Sequence, residues 1–214
     1  MEATRIIAIR HGETAWNVDA RIQGQLDIEL NPTGRWQAGR VAQALVGESI
    51  SAIYTSDLQR AWDTARAISD ATAGALHAHP GLRERSFGAY QGQTFNEIEA
   101  AWPEQARRWR QRDPLWTPPE GGESLVAVQA RILPVVHALA ARHRGEQIVL
   151  VAHGGVIDVL YRAATGQDLE TPRSWKLGNT AINRLLWTPE GLTLVGWADT
   201  RHLDADPALD EATT

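Results

Sequence analysis

Residues 4–14 have the sequence Thr-Arg-Ile-Ile-Ala-Ile-Arg-His-Gly-Glu-Thr, and this stretch decides the fold. Its first six residues are mostly apolar and β-branched, which is typical of a buried strand, and the run stops at His11 and a glycine. Residues 147–155, Gln-Ile-Val-Leu-Val-Ala-His-Gly-Gly, repeat the arrangement and stop at His153. Ligands of open α/β sheets bind beyond the carboxyl ends of the strands. If the two strands run parallel at the sheet centre, both histidines therefore line the same crevice.

Strands and helices alternate along the rest of the chain. Further strands are predicted at residues 51–55, 76–79, 180–187 and 192–198, and helices at 34–45, 58–72, 94–101, 103–112, 125–144 and 156–165. Thr33 is predicted to cap the first of these helices, and Ser56 or Asp57 the second. The alternation predicts an α/β protein with three layers, α/β/α, around a mostly parallel central sheet.

Chain length and breaks in the pattern indicate the domain organisation. A chain of 214 residues fits one domain, predicted to span residues 1–202 with a helical insert at about 94–124. The insert ends in the strongest break of the chain, residues 113–124, which combines proline-rich turns with a glycine pair. Residues 203–214 contain four acids and no lysine or arginine, so we expect a flexible acidic tail there.

The composition excludes several functional classes. There is no cysteine, which rules out disulfide scaffolds, thiolate zinc sites and cysteine nucleophiles. The balance of 21 Lys+Arg against 26 Asp+Glu argues against a general binder of polyanions, so we expect no nucleic-acid partner. No apolar run has the length of a membrane span or a signal peptide, so we expect a cytoplasmic protein without a membrane partner. A homodimer is compatible with the sequence, but no feature specifies one.

The residues around His11 suit nucleophilic catalysis. Arg10 precedes it, and a neighbouring cation favours the neutral imidazole, which is the nucleophilic form. Gly12 lets a ligand come close to the backbone. A single histidine could equally be a general base or a buried hydrogen-bonded residue. The presence of Asn17 and the Gln23-Gly24 turn downstream favours the nucleophile.

Five segments, in order, resemble the histidine phosphatase superfamily, also called phosphoglycerate mutase-like. They are Arg10 to Asn17, Arg21 to Arg35, Tyr54 to Ala65, Leu82 to Gly88, and Val151 to Gly155. A lone Arg-His-Gly is a weak signal, whereas five ordered segments over nearly the whole chain, to about residue 200, are highly specific. The resemblance implies the phosphoglycerate mutase-like fold.

The resemblance also implies a role for each site residue. His11 would attack phosphorus and become a phosphohistidine, while Glu84 would protonate the leaving oxygen and then deprotonate water. Cationic groups would stabilise the transferring phosphoryl group, and this role falls to Arg10, Arg60 and His153. The remaining phosphate-binding residues that the resemblance implies are Asn17, Gln23, Gly24 and Gly154. Neither a metal nor a cofactor is predicted, because arginines supply the positive charge.

The fold does not decide the function, since the family includes both phosphatases and mutases. Only 68 residues separate Glu84 from His153, without the long insertion that mutases of the family carry. The Gly-Gly pair after His153 resembles the phosphatase branch. We therefore predict a phosphatase that hydrolyses small phosphomonoester metabolites. A cofactor-dependent phosphoglycerate mutase is the alternative, and a phospho-ligand binding or regulatory module without turnover is a second one.

The helical insert leaves two alternatives open. Residues 107–112 contain four arginines around Trp109. A charged helix face is usually just solvated, but one or two of these arginines could line the substrate entrance. In the same way, Trp109 and Trp116 are either packing residues or the wall of a pocket.

Glu84 lies between Arg83 and Arg85, so a surface ion pair is the alternative to its catalytic role.

Overall fold

A six-stranded sheet forms the centre of the computed structural model, which describes residues 2–204. The strands are β1 (Thr4–Arg10), β2 (Ala52–Thr55), β3 (Leu76–Ala78), β4 (Gln147–Ala152), β5 (Ile182–Thr188) and β6 (Gly191–Asp199). Their order across the sheet is β3-β2-β4-β1-β5-β6. The first four in this order are parallel, and β5 and β6 are antiparallel to their neighbours. The predicted mostly parallel sheet is confirmed.

Seven α-helices connect or flank the strands within residues 2–204. They are α1 (Ala15–Val18), α2 (Pro32–Ala44), α3 (Gln59–Thr72), α4 (Phe95–Ala101), α5 (Pro103–Arg110), α6 (Leu125–Ala141) and α7 (Gly154–Thr165). Buried residues of α2 and α3 pack on one face of the sheet, and those of α6 and α7 on the other, which confirms the three layers. The short helix α1 lies where no helix was predicted, and α7 begins two residues earlier than predicted.

The central strands are buried on both faces. In β1, Ile7 and Ile9 pack in the cluster that includes α2 and α3, while Ile6 and Ala8 pack in the cluster that includes α6 and α7. All residues of β4 are buried. Two-sided burial explains why these strands are continuous apolar runs and do not alternate between apolar and polar residues.

The helical insert has a small core of its own. Tyr90, Ile98, Ala106 and Trp116 are buried together, and Trp109 packs against them. The indole rings of Trp109 and Trp116 lie 5.9 Å apart. The break at residues 113–124 contains no helix or strand, as predicted. This cluster therefore gives an irregular segment a defined position beside the sheet.

The predicted cap of α2 is wrong. The helix begins at Pro32, and its N-cap is Asn31, whose Oδ1 accepts a hydrogen bond from the N–H of Gly34 at 2.7 Å. Thr33 lies inside the helix and is exposed. Proline at the first helical position is favourable because its missing N–H would have no partner there, so the chain can start the helix before the predicted cap.

The predicted cap of α3 is also wrong, for a tertiary reason. Asp57 binds the guanidinium of Arg83 at 2.7 and 2.5 Å, and the Oγ of Ser56 accepts from the N–H of Leu58, which precedes the helix. The N–H of Gln59 is instead bound by the Oδ1 of Asp27 at 2.7 Å, a residue 32 positions earlier. A side chain from a distant loop therefore binds the free N–H at the start of α3, where the local sequence predicted a cap from a neighbouring residue.

Only the first two residues of the predicted C-terminal tail, residues 203–214, are among the residues that the structure describes. Leu203 ends a single turn of 3₁₀ helix, Arg201–Leu203, and residues 205–214 of the predicted tail lie outside the described residues. In residues 2–204, no helix is both long enough and apolar enough to cross a bilayer.

We expect Asn31→Ala to lower the free energy of unfolding by about 1–2 kcal/mol, because an N-cap side chain contributes about this much. Urea denaturation followed by circular dichroism measures the effect. Thr33→Ala is the control, and it should change the free energy of unfolding by less than about 0.5 kcal/mol, as for other surface positions. An equal loss in both variants would contradict the assignment of Asn31 as the cap.

Candidate active site

The pairing of β1 with β4 brings the two histidines together. Arg10 pairs in register with Ala152, and the N–H of His11 donates to the carbonyl oxygen of Ala152 at 2.9 Å. Both chains therefore leave the sheet at the same edge. The ring centroids of His11 and His153 are 5.2 Å apart, and both side chains are buried. The structure thus places both histidines in one crevice, as the parallel arrangement predicts.

His11 is held with an unprotonated Nε2. Its Nδ1 lies 2.7 Å from the carbonyl oxygen of Gly12, and only an N–H can form a hydrogen bond to a carbonyl, so the proton is on Nδ1. Nε2 then accepts a hydrogen bond from the Nε of Arg60 at 3.3 Å. Burial lowers the pKa of His11 well below its ordinary value of 6.5, and the charges of Arg60 and Arg10 lower it further. The neutral, nucleophilic form therefore predominates at neutral pH.

Arg60 is a fully buried cation held by a loop. Its Nη1 donates to the carbonyl oxygen of Leu26 and its Nη2 to that of Gly24, both at 2.8 Å. Burial lowers the pKa of Arg60 to about 10, although the negative charges of Glu84 and Asp27 act to raise it. The guanidinium is still charged at neutral pH, and its carbonyl partners fix its position beside His11.

Three buried side-chain nitrogens near His11 have no hydrogen-bond partner within residues 2–204. They are the Nε of Arg10 and both ring nitrogens of His153. The Nη1 of Arg10 is held by the carbonyl oxygen of Leu177 at 2.6 Å. Burial lowers the pKa of His153 well below 6.5, with Arg60 as the next cause. Because unpaired buried polar atoms cost free energy, such a cluster is typical of a site where a ligand completes the hydrogen bonds.

The carboxylate of Glu84 lies at the N-terminus of α7. The N–H of Gly155 donates to both of its oxygens, at 3.1 and 3.0 Å, and the N–H of Arg85 donates to Oε1 at 2.7 Å. The positive end of a helix attracts a carboxylate. Gly155 is required for this contact, since a Cβ there would lie 2.2 Å from Oε1.

Arg131 on α6 holds the segment that carries Glu84, a role that no motif in the sequence predicted. Its Nη1 donates to the carbonyl oxygens of Gly81 and Arg83, both at 3.0 Å. Its Nε and Nη2 bind the carboxylate of Glu123 at 2.7 and 2.8 Å. Arg131 and Glu84 are 47 positions apart in the chain, and the local sequence does not predict a contact over that separation. Helical spacing can place Arg131 on one face of its helix, but it does not show which loop that face contacts.

A cavity of about 160 Å³ lies in front of His11. Of the predicted site residues, it is lined by Arg10, His11, Asn17, Gln23, Gly24, Arg60 and Glu84. The Oδ1 of Asn17 accepts the N–H of Thr14 at 3.0 Å, which leaves its Nδ2 as the donor. Two predicted residues are not on this wall: Gly154 lines the neighbouring cavity, and His153 is buried beside the His11 ring.

A larger cavity of about 760 Å³ adjoins the first. Arg10, Glu84 and Phe87 line both. The wall of the larger cavity has five cationic and two anionic side chains, together with aromatic rings. Those not yet assigned to the smaller cavity are Arg85, Arg112, Arg173, Lys176, Asp158, Trp109 and Trp175. Positive charge and apolar surface therefore continue outward from the carboxylate of Glu84.

The two alternatives for the insert arginines both occur. Arg112 lines the larger cavity, whereas the other three bind neighbouring acids at the surface. These pairs are Arg107 with Glu104, Arg108 with Asp113, and Arg110 with Glu99. Trp109 walls the larger cavity, while Trp116 is a core residue of the insert.

A buried, unprotonated histidine beside arginines and a carboxylate is suited to phosphoryl transfer. The fold and the site together define an enzyme of the phosphoglycerate mutase-like class. Residues 6–200 match the family model of the histidine phosphatase superfamily (branch 1), and the chain belongs to this family.

Relatives within the family include phosphatases and mutases. A glucosyl-3-phosphoglycerate phosphatase of Mycolicibacterium vanbaalenii is 39% identical over 85% of this chain and 83% of its own length. A probable phosphoglycerate mutase of Yersinia enterocolitica is 33% identical over 97% of this chain and 98% of its own length. A solved phosphoserine phosphatase of Entamoeba histolytica, in complex with 3-phosphoglyceric acid, is 30% identical. It superposes with a TM-score of 0.84 and covers 94% of this chain and 100% of its own.

We expect Gly155→Ala to lower kcat for phosphomonoester hydrolysis by roughly 10²-fold or more, the usual contribution of general acid–base catalysis, because the methyl group displaces Glu84. Steady-state kinetics with p-nitrophenyl phosphate measures the loss. Gly39→Ala is the control, since its Cβ would meet no atom within 4 Å. Wild-type kcat in Gly155→Ala would show that the contact does not position the acid.

We expect His11 to remain unprotonated at pH 6.5, where an ordinary histidine is half protonated, because burial and two arginines lower its pKa. Long-range ¹H–¹⁵N NMR reports both the protonation state and the tautomer, and the signals lost in His11→Ala give the assignment. Since the lowered pKa preserves the neutral form, the acid limb of kcat/KM should lie below pH 6.5. A midpoint for His11 at or above that pH, or a proton on Nε2, would contradict the assignment.

Proposed function

We propose that this chain is a phosphatase of small phosphomonoester metabolites that acts through a phosphohistidine on His11. One observation carries the proposal: the unprotonated Nε2 of His11 and the carboxyl group of Glu84 meet in one cavity. Arg10 and Arg60 provide its positive charge. The cavity therefore combines a nucleophile, an acid and a cationic pocket for a phosphoryl group.

In the first step, the Nε2 of His11 attacks phosphorus, and the bond from phosphorus to the alcohol oxygen breaks. Glu84 donates its proton to this oxygen, so that the alcohol leaves neutral. The phosphoryl oxygens are stabilised by Arg10 and Arg60 and by the Nδ2 of Asn17. These donors are fixed by protein contacts before substrate binds, and preorganised donors need no reorganisation during the reaction.

In the second step, water attacks the phosphohistidine, and the nitrogen–phosphorus bond breaks. Glu84, now a carboxylate, takes a proton from this water. The products are inorganic phosphate and a neutral His11. Water can reach Glu84 because Arg173 and Lys176, on the wall of the larger cavity, are exposed to solvent. This access favours hydrolysis over retention of the phosphoryl group.

The relatives support the same class of substrate. One is named for glucosyl-3-phosphoglycerate and another for phosphoserine, both small phosphorylated metabolites. We extend this class to the present chain. A cytoplasmic location and a homodimer remain predictions of the sequence.

We expect His11→Ala to lower phosphate release from p-nitrophenyl phosphate by at least roughly 10³-fold, as for loss of a covalent nucleophile. Wild-type enzyme mixed rapidly with substrate should also carry an acid-labile phosphoryl group that His11→Ala lacks. His77→Ala is the control, because His77 is exposed on β3 and should leave both readouts unchanged. Equal activity of wild type and His11→Ala would refute the nucleophile, and a chain inactive on every phosphomonoester tried would support the binding module.

Phosphoglycerate mutase is the second candidate, because a relative with that probable activity aligns over almost the whole chain. Incubation with 3-phosphoglycerate separates the two. A phosphatase releases inorganic phosphate and glycerate, whereas a mutase yields mainly 2-phosphoglycerate, and ³¹P NMR distinguishes these products. A predominance of the isomer would replace the phosphatase proposal.

A further inference from the structure

We propose that Gln37 on α2 is a positioning residue for phosphoryl transfer, because it orients the peptide group whose carbonyl oxygen sets the tautomer of His11. The inference rests on the proposed phosphatase function and adds to it a residue that lines neither of the two cavities. Gln37 therefore acts on the reaction only through the peptide that joins Gly12 to Glu13.

One peptide group connects His11 to α2. Its carbonyl oxygen, that of Gly12, lies 2.7 Å from the Nδ1 of His11. Its N–H, that of Glu13, donates to the Oε1 of Gln37 at 2.9 Å. Because a trans peptide bond is planar, its C=O and its N–H point in opposite directions. The acceptor oxygen of Gln37 therefore fixes the direction of the carbonyl, which is toward the Nδ1 of His11.

Other residues hold the peptide groups on either side of this one. The preceding peptide donates its N–H to the Oγ1 of Thr64 at 3.0 Å, and its carbonyl oxygen accepts from the Nδ2 of Asn179 at 2.8 Å. The carbonyl oxygen of the following peptide accepts from the N–H of Asn31 at 3.0 Å. These bonds fix the chain before and after the middle peptide and leave its orientation to Gln37.

Two glycines allow α2 to come close enough for this contact. A Cβ on Gly12 would overlap the carbonyl oxygen of Gly34, and a Cβ on Gly34 would overlap that of Glu13. A glycine at position 12 also gives little steric resistance to rotation of the peptide plane. The peptide is therefore best held from outside the loop, and Gln37 lies on the same helix face, three residues after Gly34.

The contact with Arg60 cannot hold the tautomer during the proposed reaction. The Nε of Arg60 donates to the Nε2 of His11 at 3.3 Å, which is longer than the 2.7 Å contact at Nδ1. When Nε2 attacks phosphorus, its lone pair forms the new bond and no longer accepts from Arg60. The carbonyl of Gly12 then holds the ring and its proton, and it stabilises the positive charge that the ring gains.

Loss of the contact with Gln37 should impair catalysis more than phosphate binding. The hydrogen bond at one nitrogen of a neutral imidazole decides which nitrogen carries the proton. Without a carbonyl at Nδ1, the ring of His11 can carry its proton on Nε2, which then has no lone pair for phosphorus. The guanidinium groups of Arg10 and Arg60 keep their carbonyl partners, so the cationic pocket stays in place.

Gln37→Met tests the inference, because it keeps the length of the side chain and replaces the acceptor oxygen by a methyl group. We expect kcat for p-nitrophenyl phosphate to fall by roughly 10- to 100-fold, the cost of misplacing a reacting group. The inhibition constant for inorganic phosphate should stay within about threefold of the wild-type value, since ground-state binding is retained. A merely structural role would lower stability and leave the kcat of the folded enzyme unchanged.

Three further variants complete the test. Gln37→Glu keeps an acceptor oxygen at the same place and should keep kcat within about threefold of wild type. Gln43→Met is the matched control, because Gln43 is exposed on the same helix and should change neither constant. Gln37→Ala removes the acceptor with a good helix former, so it decides the matter if Gln37→Met does not fold. A Gln37→Glu variant as slow as Gln37→Met would overturn the role of the acceptor.

The tautomer of His11 separates this inference from the phosphatase proposal, since it is measured without turnover. Long-range ¹H–¹⁵N NMR at neutral pH should show the proton on Nδ1 in wild type, Gln37→Glu and Gln43→Met. In Gln37→Met, a second population with the proton on Nε2 should appear. If wild type hydrolyses nothing, the proposed function fails and the tautomer still decides the role of Gln37. A proton that stays on Nδ1 alone in Gln37→Met, or a wild-type kcat in that variant, would refute the positioning role.

Discussion

The active site depends on the parallel pairing of β1 with β4. Their register continues one residue past β1, through the bond from the N–H of His11 to the carbonyl oxygen of Ala152. This bond sets the direction in which both chains leave the sheet and so places the ring of His11 beside that of His153. A slip of one residue would exchange the side chains that pack on the two faces of the sheet, Ile7 and Ile9 on one face and Ile6 and Ala8 on the other, and so disrupt both core clusters.

Backbone carbonyls hold the cations of the site in place. Arg60 is bound by the carbonyl oxygens of Gly24 and Leu26, and Arg10 by that of Leu177. Carbonyl oxygens satisfy N–H groups without neutralising the charge, so the guanidinium groups keep their positive field. Burial is the main reason that the pKa of His11 is lowered, and the charges of Arg60 and Arg10 lower it further. In the proposed mechanism, the same two arginines would therefore both favour the neutral His11 and bind the phosphoryl group.

Local sequence predicted the elements well and their ends less well. Buried strands such as β1 and β4 were clear because two-sided burial leaves a continuous apolar run. The cap of α3 could not be predicted, since Asp27 reaches its N-terminus from a distant loop. The cap of α2 was a local error, in which Thr33 was preferred to Asn31. Side-chain capping is decided by which group reaches a free N–H, and several residues near a helix start can compete for it.

The sequence alone determined the three-layer fold and the two histidines at strand ends, and the resemblance predicted which residues would surround a phosphoryl group. These features depend on apolar patterning and on motifs, which are local. Only the tertiary structure decided that Arg131 positions the Glu84 segment, that Gly155 leaves room for its carboxylate, and that Arg85 faces the larger cavity. The physical reason is that each of these features depends on which distant segments pack together. Residue spacing along the chain does not reveal that packing.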